Sequence, residues 1–266
     1  VDLLLRPMGP FYARAVLLGL AGLGLAFPAV LRAPITWLGL TAGVGTCLVA
    51  DWPLSDNHIY LLVYWCLAVV IALRTGDPPA SLGASARLLL GAAFALAVAW
   101  KVVSPDYLDG RFFRVTLLTD DRFAETALLL GGLSGDDLDH DRKALEPLPE
   151  GAELMDPPRV REPARFRALA AACTWGGLAL EVAVAALHLV PGPLYVLARH
   201  LALLLFGVAT YAVAPVAGFG WLLAVMGLAG CRPGQRGLRT AYGALFFVVL
   251  FYSEVPWPGL LNDWLD

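Results

Sequence analysis

The apolar residues of this chain fall in runs of about 16 to 25, separated by short Pro, Gly and Arg punctuation, and that spacing is what most limits the folds open to it. A run of such length placed in lipid must satisfy its own backbone hydrogen bonds, which an α-helix does within a single segment. Across 266 residues only 15% are charged and the mean hydropathy is +0.69, values that argue against a water-filled surface of ordinary extent. The net charge of -3 carries little information, because the charges collect outside the runs and above all in 104–167. No long basic patch or nucleic-acid module is present, so nucleic acid is excluded as a partner. The expectation is an all-α integral membrane protein: one membrane domain over 1–266, a polytopic bundle of about 8 transmembrane helices, with one extended polar loop segment at 104–165.

The first run, 11–31, follows Arg6 and Arg14 and has no small-x-small cleavage site, so it reads as a retained first span. The second, about 35–50, leads into the polar turn from Asp51 to His58, where Asp56 or Asn57 can cap a third run at about 58–73. Both are shorter than the usual ~20 residues, which a tilt or a thinned bilayer would accommodate. Spans follow at 84–103 with Lys101, at 168–190 with Glu181 and at 194–213 with His200. A further run to Gly230 and a last one at 240–255 complete the set, which drops to seven if the chain around Pro215 is re-entrant. Trp257 and Trp264 suit a membrane interface. Loop charge gives no single orientation. Arg6, Arg14 and the arginines of 104–167 place the N-terminus and that segment on the cytoplasmic side, but Arg74, Arg87 and the cluster Arg232, Arg236 and Arg239 then fall outside.

Within 104–165 an interfacial helix is expected at about 121–132, with the remainder an exposed loop or a small extramembrane layer. The alternation Asp137, Asp139, Asp141 resembles the start of a calcium loop. Arg142 stands where that loop requires glycine, and no glutamate closes it, so no calcium site is expected. Four cysteines lie in or beside apolar runs without a CxxC pair, and neither His58 nor His200 has zinc-site spacing; no metal is expected.

Ionisable groups inside apolar runs cost several kcal/mol to desolvate and are functional candidates for that reason. They are His58, Lys101, Glu181, His188 and His200, with Arg199 beside the last. Lys101 has two readings: an ammonium reaching headgroups beside Trp100 and Tyr107, or an amine in an apolar cavity, where desolvation disfavours the charged form and the group can accept a proton. Glu181 has two potential partners, Arg199 and Lys101; pairing with Lys101 would hold the lysine charged and structural.

Asn57-His58-Ile59-Tyr60-Leu61 resembles the Asn-His-x-Tyr-Leu motif of the membrane domain shared by vitamin K-dependent gamma-glutamyl carboxylases and the horizontally transferred transmembrane (HTTM) family. Trp100-Lys101 followed by Asp106-Tyr107-Leu108-Asp109-Gly110 resembles that family's lysine and aspartate, Trp, hydrophobic, acidic, Gly segment, with Tyr107 for the tryptophan and one extra residue between. His200 with Phe206-Gly207 matches a later histidine followed by a Phe-Gly-like stretch. The carboxylases differ in carrying a second lysine where this chain has Trp100 and an aromatic hydroxyl where it has Phe94. Their large lumenal region, which engages the substrate's recognition peptide, has no counterpart before Asp266.

What the resemblance implies is a lyase-type membrane enzyme of a bacterial inner membrane. Lys101 would deprotonate a reduced, vitamin K-like quinone; reaction with oxygen would give a strong base, which takes a glutamate gamma proton before carbon dioxide is captured. Lys101, His58 and His200 would be catalytic, and Asn57, Tyr60, Phe94, Trp100 and Tyr107 would contact the quinone. Partners would be membrane lipids, a quinol and a peptide or protein substrate. The alternative is a non-enzymatic membrane subunit, with a partner subunit, or a lipid- or quinone-binding protein; a transporter is the third reading.

Overall fold

Proline marks where several helices begin, since its fixed φ suits the first turn and its missing N–H is not needed there. The computed structural model describes Leu3 and residues 8–147, 151, 159–213, 216–255, 260, 261 and 264, and every regular element among them is helical. In chain order these are α1 (Phe11–Ala26), α2 (Pro34–Ala50), α3 (Asn57–Ala72), α4 (Pro78–Val103), α5 (Pro105–Leu108), α6 (Arg111–Thr119), α7 (Ala124–Gly131), α8 (Gly135–Ala144), α9 (Ala164–Ala171), α10 (Gly177–Leu189), α11 (Val196–Val213), α12 (Ala217–Ala229) and α13 (Arg236–Glu254). Pro34, Pro78 and Pro105 open α2, α4 and α5, and the Asp77 carboxylate caps α4 by accepting from the Ala80 N–H. A π-turn, Ala172–Gly176, joins α9 and α10 into one rod.

The eight-span expectation, and its seven-span variant, are corrected here. Three helices among the described residues are long and apolar enough to cross a membrane: Pro78–Val103, Ala164–Leu189 and Pro193–Val213, of 26, 26 and 21 residues. The other apolar runs yield α1, α2, α3 and α12, of 16, 17, 16 and 13 residues. At 1.5 Å per residue a helix of that size reaches about 20 to 25 Å, short of the ~30 Å hydrocarbon core. The cause is local. Phe27 and Pro28 break the first run into α1 and a 3₁₀ turn, and residues 51–56 stay in turns rather than extending α2 or α3. α13 begins at Arg236, so its first turns carry Arg236 and Arg239 instead of apolar residues.

Antiparallel packing arranges the helices in a bundle with two ends. Its core includes Trp65, Leu90, Phe94, Val184, Leu203, Phe206, Trp221 and Leu223, drawn from α3, α4, α10, α11 and α12. The turns at 27–33, 73–77, 190–195 and 230–235 lie at one end, called here the turn end. At the other end sits the segment expected to be largely loop. It is instead a helical layer, α5 to α8, with its own core of Leu117, Leu118, Phe123, Ala127, Leu133 and Leu138 packed on Phe166 and Ala170 of α9. The helix expected at 121–132 is present as a 3₁₀ turn, Asp121–Phe123, followed by α7.

The aspartates read against calcium have structural work in this layer. Ser134 and Asp137 form a capping box at the start of α8, Asp137 pairs with Arg161, and buried Asp141 accepts from the Arg161 N–H at 3.0 Å. Arg6, Pro215 and Trp257 lie outside the described residues, while Trp264 is exposed.

Candidate functional site

Lys101 sits in the last turn of α4, where a cation is favoured by the helix dipole, and Pro105 two residues beyond the helix end turns the chain. That turn brings Tyr107 back over the lysine, with the ring centre 5.2 Å from Nζ. Tyr107 is buried and braced by the rings of Phe112 and Phe113, at 5.6 and 5.8 Å between centroids. Its hydroxyl donates to the Thr174 carbonyl at 3.3 Å. Thr174 lies within the π-turn, where the hydrogen-bond ladder slips by one residue and a carbonyl becomes available to an outside donor. Burial, and then the Glu181 carboxylate, raise the Tyr107 phenol well above its ordinary value, so it remains a donor.

Glu181, one helical turn beyond the π-turn, is 92% buried and pairs through Oε1 with Lys101 Nζ. Its Oε2 is buried without a hydrogen-bond partner among the described residues, a costly arrangement in a protein interior. Between the same two helices runs a groove of about 520 Å³ lined by Ala95, Val98, Ala99 and Val102 of α4 with Val182 and Ala185 of α10; Lys101 and Glu181 are sequence neighbours of Val102 and Val182 and do not themselves line it. The site therefore combines a cation, a carboxylate oxygen without a partner and a phenol, with an apolar groove between the same two helices.

The structure separates the other expected site residues from this one. His58 lies in the first turn of α3, with Nδ1 3.9 Å from the Asp56 carboxylate, and lines a different cavity of about 590 Å³ with Cys47, Asp51, Ser55 and Asp56. Asn57 is exposed beside it, and Tyr60 meets Trp52 edge-on at 6.2 Å. His200 is buried at the turn end, its Nδ1 2.9 Å from the Tyr242 hydroxyl. The Arg87 guanidinium reaches the His188 carbonyl, and the Arg199 Nε reaches Leu187 O, so His200 stands level with residue 87 of α4. Lys101 lies 101 − 87 = 14 residues further along that helix, which is about 20 Å. Phe94 belongs to the core, edge-on to Phe206 at 4.7 Å, and Trp100 points outward, 77% exposed.

Of the two partners open to Glu181, the structure selects Lys101; Arg199 instead donates to the carbonyls that end α10. Sequence reasoning missed the π-turn and Tyr242. The pair Gly176-Gly177 inside an apolar run was the one available signal for the first, and the Gly227 that admits the Tyr242 ring was the signal for the second. No group of three or more His, Cys, Asp or Glu that could hold a metal is found among the described residues. Comparison with protein-family models, with curated proteins and with solved structures finds no match to this chain.

Proposed function

We propose that the protein is a membrane enzyme of quinol chemistry, in which the Lys101–Glu181 site takes a proton from the ring hydroxyl of a reduced quinone that enters from the bilayer through the apolar groove. The observation that carries this reading is the unpartnered Glu181 Oε2, buried and paired through Oε1 with a lysine, on the two helices that also form an almost wholly apolar groove. A groove of this volume falls in the range of small-molecule sites. Glu181 Oε2 accepts the hydroxyl, Lys101 offsets the negative charge that remains when the proton leaves, and Tyr107 closes the site from the layer side. A reduced quinone supplies a weakly acidic hydroxyl and, with oxygen, oxidising chemistry. The family resemblance around Lys101 extends the proposal to carboxylation of a glutamate side chain in a peptide substrate.

Placement in a bilayer, in a bacterial cytoplasmic membrane, is part of the proposal. It is supported by the outward stripe Leu194, Leu197, Leu201, Leu205 and Val208 on and just before α11, each 43% or more exposed, which continues the apolar character of the three long helices. The experiment is native purification with mass spectrometry of bound lipids, followed by quinol turnover and glutamate carboxylation for wild type, E181Q and K101R. Lys101→Arg keeps both the positive charge and the ion pair. Turnover in wild type that is lost in E181Q and largely kept in K101R supports the site, and unchanged turnover in E181Q refutes it. A second reading, a non-enzymatic quinone- or lipid-binding subunit, is favoured by the ion pair that occupies Lys101. Wild type that retains a quinone and turns over none would establish that reading instead.

A further inference from the structure

The two ends of the bundle differ in the acidic groups around their arginines, although Arg14, Arg159, Arg165 and Arg167 on the layer side also form no ion pair among the described residues. In the layer and on the segments packed against it, Arg111, Arg114, Arg122, Arg142 and Arg161 each form an ion pair with an aspartate or glutamate. At the turn end, Arg32, Arg74, Arg232, Arg236 and Arg239 are exposed, and none of them forms an ion pair among the described residues. Arg87 and Arg199 stand behind them and donate to the carbonyls of His188, Leu187 and Gly192. The acidic residue in the turns of this end, Asp77, is occupied in capping α4.

The helix dipole works against two of these arginines. Arg236 and Arg239 occupy the first turns of α13 with no acidic residue beside them, so their charge adds to the positive end of the helix. A surface that gathers cations on a helix start and provides no internal anion calls for anions from outside. The geometry fixes where those anions would lie. α4 begins, and the rods Ala164–Leu189 and Pro193–Val213 meet, at this same end, so the arginines ring the point where the three membrane-length helices reach their common boundary.

We infer that the turn end is a docking face for anionic phospholipid headgroups of the cytoplasmic leaflet, which fixes the orientation: turns 73–77, 190–195 and 230–235 face the cytoplasm, and the helical layer α5–α8 faces the opposite side. The inference rests on the membrane reading given above. Arginine forks bind phosphate through paired N–H donors, and each basic residue near an anionic surface adds to the attraction. This assignment reverses the orientation that a plain count of Lys and Arg supports, since more of them lie on the layer side.

The test uses the full chain. Resistance to alkaline carbonate extraction is measured first; a protein released by carbonate refutes the membrane reading, and with it this inference. For a protein that stays in the membrane, native mass spectrometry is run after reconstitution into phosphatidylcholine with and without phosphatidylglycerol. Wild type should retain phosphatidylglycerol selectively. R232Q/R236Q/R239Q should lose that retention by on the order of tenfold or more, while R111Q/R114Q should keep it. Equal retention in both variants, or no preference in wild type, overturns the inference and leaves the membrane reading standing. Orientation is read with an impermeant maleimide: Gly234→Cys should react only in inside-out vesicles and Asp136→Cys only in right-side-out ones, and the reverse pattern overturns the assignment.

Discussion

Lys101 and Glu181, 80 residues apart in sequence, form an ion pair across α4 and α10, and the two are unequally buried: the lysine side chain is 24% exposed and the carboxylate 11%. That inequality decides which loss is worse. Removing the lysine strands a carboxylate that cannot reach water, whereas removing the carboxylate leaves an ammonium whose flexible stem can carry it to solvent. Lys101→Met should therefore cost about 2 to 3 kcal/mol and Glu181→Gln about 1 kcal/mol, below the full range for buried pairs because the lysine is partly hydrated. Denaturant unfolding in detergent gives the order, and the double variant should recover part of the K101M loss. Glu181→Gln more damaging than Lys101→Met would contradict the burial argument.

Tyr107 is held by two separable interactions, its hydroxyl on Thr174 and its ring over Lys101. Tyr107→Phe removes the first, at about 1 kcal/mol. Tyr107→Leu removes both and should lose a further 0.5 to 2 kcal/mol, roughly the scale of a cation over an aromatic face. The second increment should vanish in a K101M background. If it persists, the ring stabilises by packing on Phe112 and Phe113 alone.

Asp137 gives the helical layer a defined acid limit. Hydrogen bonds from the Ser134 side chain first, then from Arg161 and from the Ser134 N–H, lower its carboxyl from 3.8 to about 2. A depressed folded value means that stability is fully present above the unfolded value and is lost as pH falls through the folded one. The layer should accordingly loosen between about pH 4 and about pH 2, an effect that hydrogen exchange of α8 amides would follow. Asp137→Asn should be loose across that whole range with a flatter pH response. An unchanged acid transition in that variant would remove Asp137 as its source.

Helix positions were legible in the sequence because proline and polar turns bound the apolar runs, and Pro34, Pro78 and Pro105 do open helices. Helix reach was not, because an apolar run measures composition, whereas the helix stops where Phe27 or Asp51 leaves helical geometry. Outside the helix expected at about 121–132, the segment 104–165 was read as an exposed loop or small extramembrane layer, since its helices, of 4 to 10 residues, are too short for a 3.6-residue period to show. Lys101 and Glu181 stood out by their cost in an apolar run. Their pairing depends on the register of α4 against α10, which Gly91 sets: a Cβ there would lie 2.8 Å from the Leu189 side chain, and no sequence period encodes that approach.

Gly227 poses the sharpest packing demand at the turn end. A Cβ added to it would lie 2.2 Å from Cε1 of Tyr242, a buried ring that holds its hydroxyl 2.9 Å from His200 Nδ1. The ring cannot retreat without breaking that bond, so Gly227→Ala should destabilise by about 1 to 3 kcal/mol. Gly243 is the control: it lies in α13 with nothing within 4 Å of an added Cβ, so Gly243→Ala should be neutral or stabilise by up to about 1 kcal/mol through helix propensity. Tyr242→Phe alone should cost about 1 kcal/mol for the lost hydrogen bond to His200. Combining Gly227→Ala with Tyr242→Leu should cost less than the sum of the two single changes, because the leucine vacates the space the new methyl needs. Thermal unfolding of the set measures each term. Strict additivity in the double variant would show that Gly227 and Tyr242 do not share that space.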